Sequence, residues 1–168
     1  MKDKKMSARY LAQGAAIAAI YVVLTLVFAP ISFGAVQVRI AEALAILPLF
    51  TSAAIPGLFI GCVLANLLGG GIVWDVIFGS LATLIGAALG YALRENRWLV
   101  PIPAVIANTV IVPLVLKYGY GLDLPLVLLM AYIAVGEILG CYVLGELFGL
   151  ILLRRRRAIF RSSETPEE

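Results

Sequence analysis

Gln37-Val38-Arg39-Ile40-Ala41-Glu42 places an arginine and a glutamate one helical turn apart at the head of an apolar run. A charge at membrane depth costs roughly 2.5–3.5 kcal/mol on insertion scales, so it is kept for function or for strict pairing. The residues around this stretch show that membrane depth is the right frame. The chain has 168 residues, 62% of them hydrophobic, and a mean hydropathy of +1.04. A soluble globule of that composition has too little polar surface to stay dispersed. Arg39 and Glu42 therefore read as polar groups inside a bundle of membrane helices.

A spanning helix needs about 20 apolar residues. Working outward from residue 40, Ile40–Ser52 and Ile55–Leu68 are each short of a full span, interrupted by Pro48 and by Pro56-Gly57. Tilted or broken helices deep in a bundle are expected there. A first span is expected over Tyr10–Ala29, closed by Pro30, followed by a loop over Ile31–Val38 that contains Gly34. Further spans are expected over Val73–Leu93, Leu99–Lys117 and Leu124–Leu153. The first apolar stretch is long and lacks a short core with a small-residue cleavage site, so it reads as a span and not as a cleavable signal.

Six spans put both termini on one side, and the basic residues test that arrangement. Lys2, Lys4, Lys5 and Arg9 precede the first span, Arg94 and Arg97 lie between the fourth and fifth, and Arg154–Arg157 and Arg161 follow the sixth. These are all of the 13 Lys and Arg except Arg39 and Lys117. The positive-inside rule then makes both ends cytoplasmic. The expected fold is an all-α integral membrane protein of six transmembrane helices. It divides into a cytoplasmic segment over residues 1–9, a transmembrane domain over 10–153, and a basic, then acidic, tail over 154–168. The arginine run reads as an anchor at anionic headgroups in preference to a nucleic-acid patch, and the tail from Ser162 as disordered.

Composition also excludes chemistry. Histidine is absent, which removes the commonest general base and metal ligand. Cys62 and Cys141 lie in apolar segments without ligand spacing and read as packing residues. No nucleotide-binding loop is present, so ATP hydrolysis is not expected from this chain. No cofactor is implied.

The polar groups within the spans fall mostly in the outer half: Arg39 and Glu42 at the start of the second, Asn66 at the end of the third, Asp75 at the start of the fourth. Asn108 and Glu137 lie near mid-depth on the fifth and sixth. That is the layout of a pocket loaded from outside. Each residue also has a plain alternative. Arg39 and Glu42, at i and i+3, can pair with each other. Asp75 can be an N-cap. Asn66 can cap the third helix or bond across helices, and Asn108 can be interhelical glue. Trp74, Tyr118 and Tyr120 read as belt aromatics. Glu137 is the hardest to explain without function. Glu146 is expected to snorkel or pair on the inner side.

Small residues form a second pattern. Ala8, Ala12 and Ala16, with Ala15 and Ala19 beside them, share one side of the first helix and permit close approach of another helix, in this chain or in a partner. Gly57/Gly61, Gly86/Gly90, Gly136/Gly140 and Gly145/Gly149 repeat the spacing and are expected to serve packing within the chain.

Three stretches carry a family resemblance: Gln37-Val38-Arg39-Ile40-Ala41-Glu42-Ala43-Leu44; Ala54-Ile55-Pro56-Gly57-Leu58-Phe59-Ile60-Gly61-Cys62 continuing to Ala65-Asn66-Leu67-Leu68-Gly69; and Trp74-Asp75-Val76-Ile77-Phe78-Gly79-Ser80-Leu81-Ala82-Thr83. Gly136-Glu137 fits as well. With the alanine stripe they resemble the S components of energy-coupling factor (ECF) transporters, six-helix proteins whose first helix docks on a shared transmembrane subunit. More closely, the chain resembles the queuosine-precursor transporter family, QueT. Ala41 departs from a serine common at that position and removes one hydrogen-bond donor.

The resemblance implies a 7-deazaguanine substrate such as 7-aminomethyl-7-deazaguanine, a shared transmembrane subunit and two cytoplasmic ATPases as partners, and location in the cell membrane. Carboxylates accept the paired N–H donors of a guanine-like edge, and amide or guanidinium donors suit its carbonyl. Glu42, Asp75 and Glu137 supply acceptors; Arg39, Asn66 and Asn108 supply donors. Competing readings are an S component for another vitamin or heterocycle, a stand-alone ion-coupled carrier, a structural membrane subunit and, least supported by the residue types, a membrane enzyme.

Overall fold

The structure is a computed structural model that describes residues 7–33 and 37–160, with side chains described as far as Arg154. Among those residues every regular element is a helix. Helix α1 spans Ala8–Val27, and a single helical turn, Ala29–Ser32, follows it. Helix α2, Ile40–Leu49, is wound as a 3-10 helix with Pro48 inside it. Helix α3 spans Ala54–Leu68, α4 Asp75–Ala92 and α5 Arg97–Gly119. Helix α6 crosses over Leu126–Arg154 and continues to Phe160. Four of these, α1, α4, α5 and α6, are long and apolar enough to cross a membrane, while α2 and α3 are shorter. The expected shortness of α2 and α3 is thus observed, with Pro48 in the last turn of one and Pro56 in the first turn of the other. Pro30 lies one residue beyond the helical break and opens the turn that follows, a position where its missing N–H costs nothing.

The surface is inverted relative to a soluble protein. Large apolar side chains point outward along every long helix, for example Val23, Ile85, Val110 and Leu147, while the interior holds small residues and polar groups. That distribution suits a bilayer as solvent. One apolar cluster joins Ile17 and Tyr21 of α1 to Leu44 and Leu47 of α2 and to Leu58 and Cys62 of α3. A second joins Val112 and Leu116 of α5 to Leu129 and Ile133 of α6.

Glycine pairs set the helix spacing, and all four pack within the chain. The most demanding contact is on α6. A methyl group at Gly136 would collide with the Gln37 carbonyl oxygen, and one at Gly140 would stand 2.8 Å from the Arg39 carbonyl oxygen. The extended backbone that leads into α2 is therefore laid directly on α6. Gly145 and Gly149 continue the groove under Ala43 and Ile46. Gly57 and Gly61 of α3 admit the backbone of α1 in the same way, and Gly86 and Gly90 of α4 admit α5.

Three π-helical segments interrupt the long helices: Asp75–Gly79, Val115–Gly119 and Ile138–Leu144. The first begins at Asp75 and the third directly follows Glu137. The second follows Pro113, which has no amide to close an ordinary turn. The expected loop around Gly34, the N-terminal lysines and the acidic tail lie outside the described residues.

Candidate functional site

All six polar residues singled out from the sequence are buried: Arg39, Glu42, Asn66, Asp75, Asn108 and Glu137 are each no more than 6% exposed. Their helices bring them into one connected cluster. Arg39 is the N-cap of α2 and has extended backbone (φ −86°, ψ 104°), so its side chain leaves the helix axis. It therefore does not pair with Glu42 as an i, i+3 neighbour on a regular helix would. Its guanidinium lies 3.9 Å from the Asp75 carboxylate on α4. Its Nε donates to the Ser32 carbonyl at 3.3 Å, and the Phe33 ring packs against the guanidinium 5.4 Å away.

Glu42 is held from α1. The Tyr21 hydroxyl, fully buried, donates to Glu42 Oε1 at 2.5 Å. Thr25 anchors the same turn by donating to the Tyr21 carbonyl. On the other side, Asn66 Nδ2 donates to the Asp75 backbone carbonyl at 3.2 Å. Asn66 thus bonds across helices and does not cap α3 with its side chain. Gly71 and Gly79 leave room for this crossing, since a methyl at either would press on Asn66 and Asp75.

Asp75 is not an N-cap either. It lies in the π turn of α4 and its carboxylate faces Arg39 and Tyr120. The Tyr120 hydroxyl donates to Asp75 Oδ2 at 3.3 Å and accepts from the Ile72 amide at 3.3 Å. Tyr120 is therefore a tether between the ends of α4 and α5 and more than a belt aromatic. Tyr118 and Trp74 are mostly exposed, as belt residues are, and Trp74 stacks on Phe78. On α6, Glu137 lies beside the Asn108 amide and within electrostatic reach of Glu42 and Arg39.

Three buried polar atoms of this cluster have no hydrogen-bond partner: Arg39 NH2, Asn66 Oδ1 and Glu137 Oε2. One is a donor and two are acceptors. A buried polar group without a partner forfeits about 1–3 kcal/mol. Three such atoms fall in this one cluster.

An apolar pocket of about 540 Å³ lies elsewhere, between α4 and α5, lined by Trp74, Phe78, Ile111, Leu114, Val115 and Tyr118. None of the six buried polar residues lines it. Glu146 pairs with Arg97 at 3.7 Å. The alanines at 8, 12, 15, 16 and 19 are all exposed, on the side of α1 opposite the buried Tyr21 and Thr25.

Tyr21 was not apparent in the sequence as a site residue. Its signal is the i, i+4 line Ile17–Tyr21–Thr25–Ala29, which carries two hydroxyls through an otherwise apolar span. Tyr120 was hidden by its place among interfacial aromatics.

The bundle of apolar helices thus buries one cation, three carboxylates and two amides in one cluster, a composition that sets it apart from a purely structural membrane bundle. Residues 11–154 match the QueT transporter family, and the chain belongs to that family. Among curated proteins, it is similar to a queuosine precursor transporter of Lactococcus lactis subsp. cremoris (strain MG1363), with 38% identity over 85 residues. That alignment covers 49% of this chain and 49% of the relative, so the match spans about half the length of each. No solved structure matches.

Proposed function

We propose that this chain is the substrate-binding S component of an ECF-type importer that captures a 7-deazaguanine queuosine precursor, 7-aminomethyl-7-deazaguanine or a close relative, from outside the cell. The observation that carries the reading is that Arg39 NH2, ion-paired with Asp75 at 3.9 Å, Asn66 Oδ1 and Glu137 Oε2 have no hydrogen-bond partner. A guanine-like edge presents one carbonyl acceptor beside N–H donors, which is the complement of one donor and two acceptors. Bidentate, charge-assisted bonds of that kind are the strong ones. Glu42 and Asp75, already held by Tyr21 and Arg39, form the rest of the wall, and Asn108 orients Glu137.

In this reading all six helices cross the membrane, α2 and α3 being short because they sit tilted within the bundle. Both termini face the cytoplasm of a cell-membrane protein. The exposed alanines of α1 dock on a transmembrane partner subunit, and two cytoplasmic ATPases supply the energy. Family membership and the half-length likeness to a queuosine precursor transporter support the substrate class.

Isothermal titration of the detergent-purified protein with 7-aminomethyl-7-deazaguanine tests the assignment, with guanine and biotin as controls. Tight and selective binding is expected. Absence of binding to a demonstrably folded sample would remove the substrate and leave the family assignment alone.

A further inference from the structure

The charges of the cluster do not balance, and the imbalance says what the ligand must carry. Among the described residues the buried charged groups around the site are one cation, Arg39, and three carboxylates, Glu42, Asp75 and Glu137. The groups that face them bring no positive charge: Tyr21 from α1, Cys62 and Asn66 from α3, Asn108 from α5, Tyr120 after α5 and Cys141 from α6. Lys117 is engaged with the Leu124 carbonyl at 3.0 Å, beyond the cluster. Arg39 is matched by Asp75. Glu42 and Glu137 remain: Glu42 accepts from the neutral Tyr21 hydroxyl, Glu137 lies within electrostatic reach of Glu42, and Glu137 Oε2 has no hydrogen-bond partner.

Two carboxylates cannot both stay ionised and unmatched in a water-excluded interior, because burial of an uncompensated ion is heavily penalised and like charges add to the penalty. Either a proton or a cationic ligand has to supply the missing charge. We infer that this site selects a ligand bearing an ammonium group and takes it in exchange for a proton: the empty Glu42–Glu137 pair holds a proton, and the entering ammonium displaces it to the external water. The charge inside the bundle is the same before and after, since one positive charge leaves as one arrives. The inference rests on the polar cluster being the substrate site, and goes beyond that reading by making the cationic arm obligatory and binding proton-linked.

Two ligands with the same base edge separate the two ideas: 7-aminomethyl-7-deazaguanine and 7-ethyl-7-deazaguanine, which replaces the ammonium by a methyl of similar size. Each is titrated calorimetrically at one pH in phosphate and in Tris, whose ionisation heats differ. The expected result is an aminomethyl ligand bound about a hundredfold more tightly, since the ethyl ligand forgoes the charge-assisted hydrogen bonds between ammonium and carboxylate. Its heat should differ between buffers in the sense of proton release, while that of the ethyl ligand should not. Glu137→Gln should abolish the buffer dependence and shrink the preference for the ammonium; Glu42→Gln serves if that variant does not fold. Equal affinity for the two ligands, or a buffer-independent heat for the aminomethyl ligand, would overturn the inference while leaving the substrate site in place. Failure of both ligands to bind folded protein would overturn the substrate reading and the exchange with it.

Discussion

Tyr21 on the first helix donates its hydroxyl to Glu42 on the second at 2.5 Å, joining the helix that carries the exposed alanines to the buried polar cluster. Replacing Tyr21 by Phe keeps the ring in its apolar packing with Ile17 and Leu58 but leaves the carboxylate without its donor. A loss of about 1–3 kcal/mol in stability is expected, the usual cost of a buried group left unpaired. Thermal melting in detergent reads the stability, and titration with the deazaguanine should show weaker binding. A variant that melts and binds like the parent would show that Tyr21 does not position Glu42.

The groove on α6 predicts a graded glycine series. A methyl at Gly140 meets the Arg39 carbonyl oxygen at 2.8 Å, and one at Gly145 meets the Ala43 carbonyl oxygen at 3.3 Å. Gly140→Ala should cost about 1–3 kcal/mol through overpacking and should also weaken ligand binding, because it pushes Arg39. Gly145→Ala should be the milder of the two in both assays. Equal effects from the pair would mean that the 37–39 backbone does not depend on this contact.

Tyr120 and Asp75 form a second graded pair. Asp75→Asn removes the counter-charge of the buried Arg39, and a broken buried pair costs about 3–5 kcal/mol. Tyr120→Phe removes a neutral donor from the same carboxylate at a partly exposed position and should cost about 0.5–1.5 kcal/mol. Chemical denaturation or melting of both variants checks the order. Tyr120→Phe proving the more damaging would contradict the geometry.

Arg97 and Glu146 make an ion pair at the end of the bundle where α5 begins, with Arg97 also stacked over Trp98. Arg97 is half-buried and Glu146 is buried, so Arg97→Ala should cost about 1–3 kcal/mol by leaving the Glu146 carboxylate without its partner, and should leave ligand affinity at the parental value. A large drop in affinity would reveal a link between this end and the polar cluster that the packing does not provide.

The alanine stripe predicts a separation of functions. Ala16→Leu enlarges an exposed position of α1 on the side away from Tyr21. Titration with ligand should be unchanged, while co-purification with the proposed transmembrane partner subunit should fall sharply. Undisturbed co-purification would remove this side of α1 as the docking surface.

Composition and apolar run lengths, which are local properties, sufficed to read an all-helical membrane protein with two helices too short to span unaided. The set of buried polar residues was legible for the same reason, since a charge or amide inside an apolar run is conspicuous wherever the run folds. Partners were not legible. Arg39 and Glu42 are neighbours in sequence, yet the extended backbone at the N-cap turns Arg39 toward Asp75 and leaves Glu42 to Tyr21. Tyr21 and Tyr120 looked like apolar and interfacial residues until helix packing put a carboxylate beside each. Which groups pair depends on how the helices cross, and the crossings are set by contacts such as Gly136 against Gln37, a hundred residues apart in the chain. Residue type and hydrophobic period determined what is buried; only the tertiary arrangement decided which buried atoms pair and which are left without a hydrogen-bond partner, because the partners come from different helices.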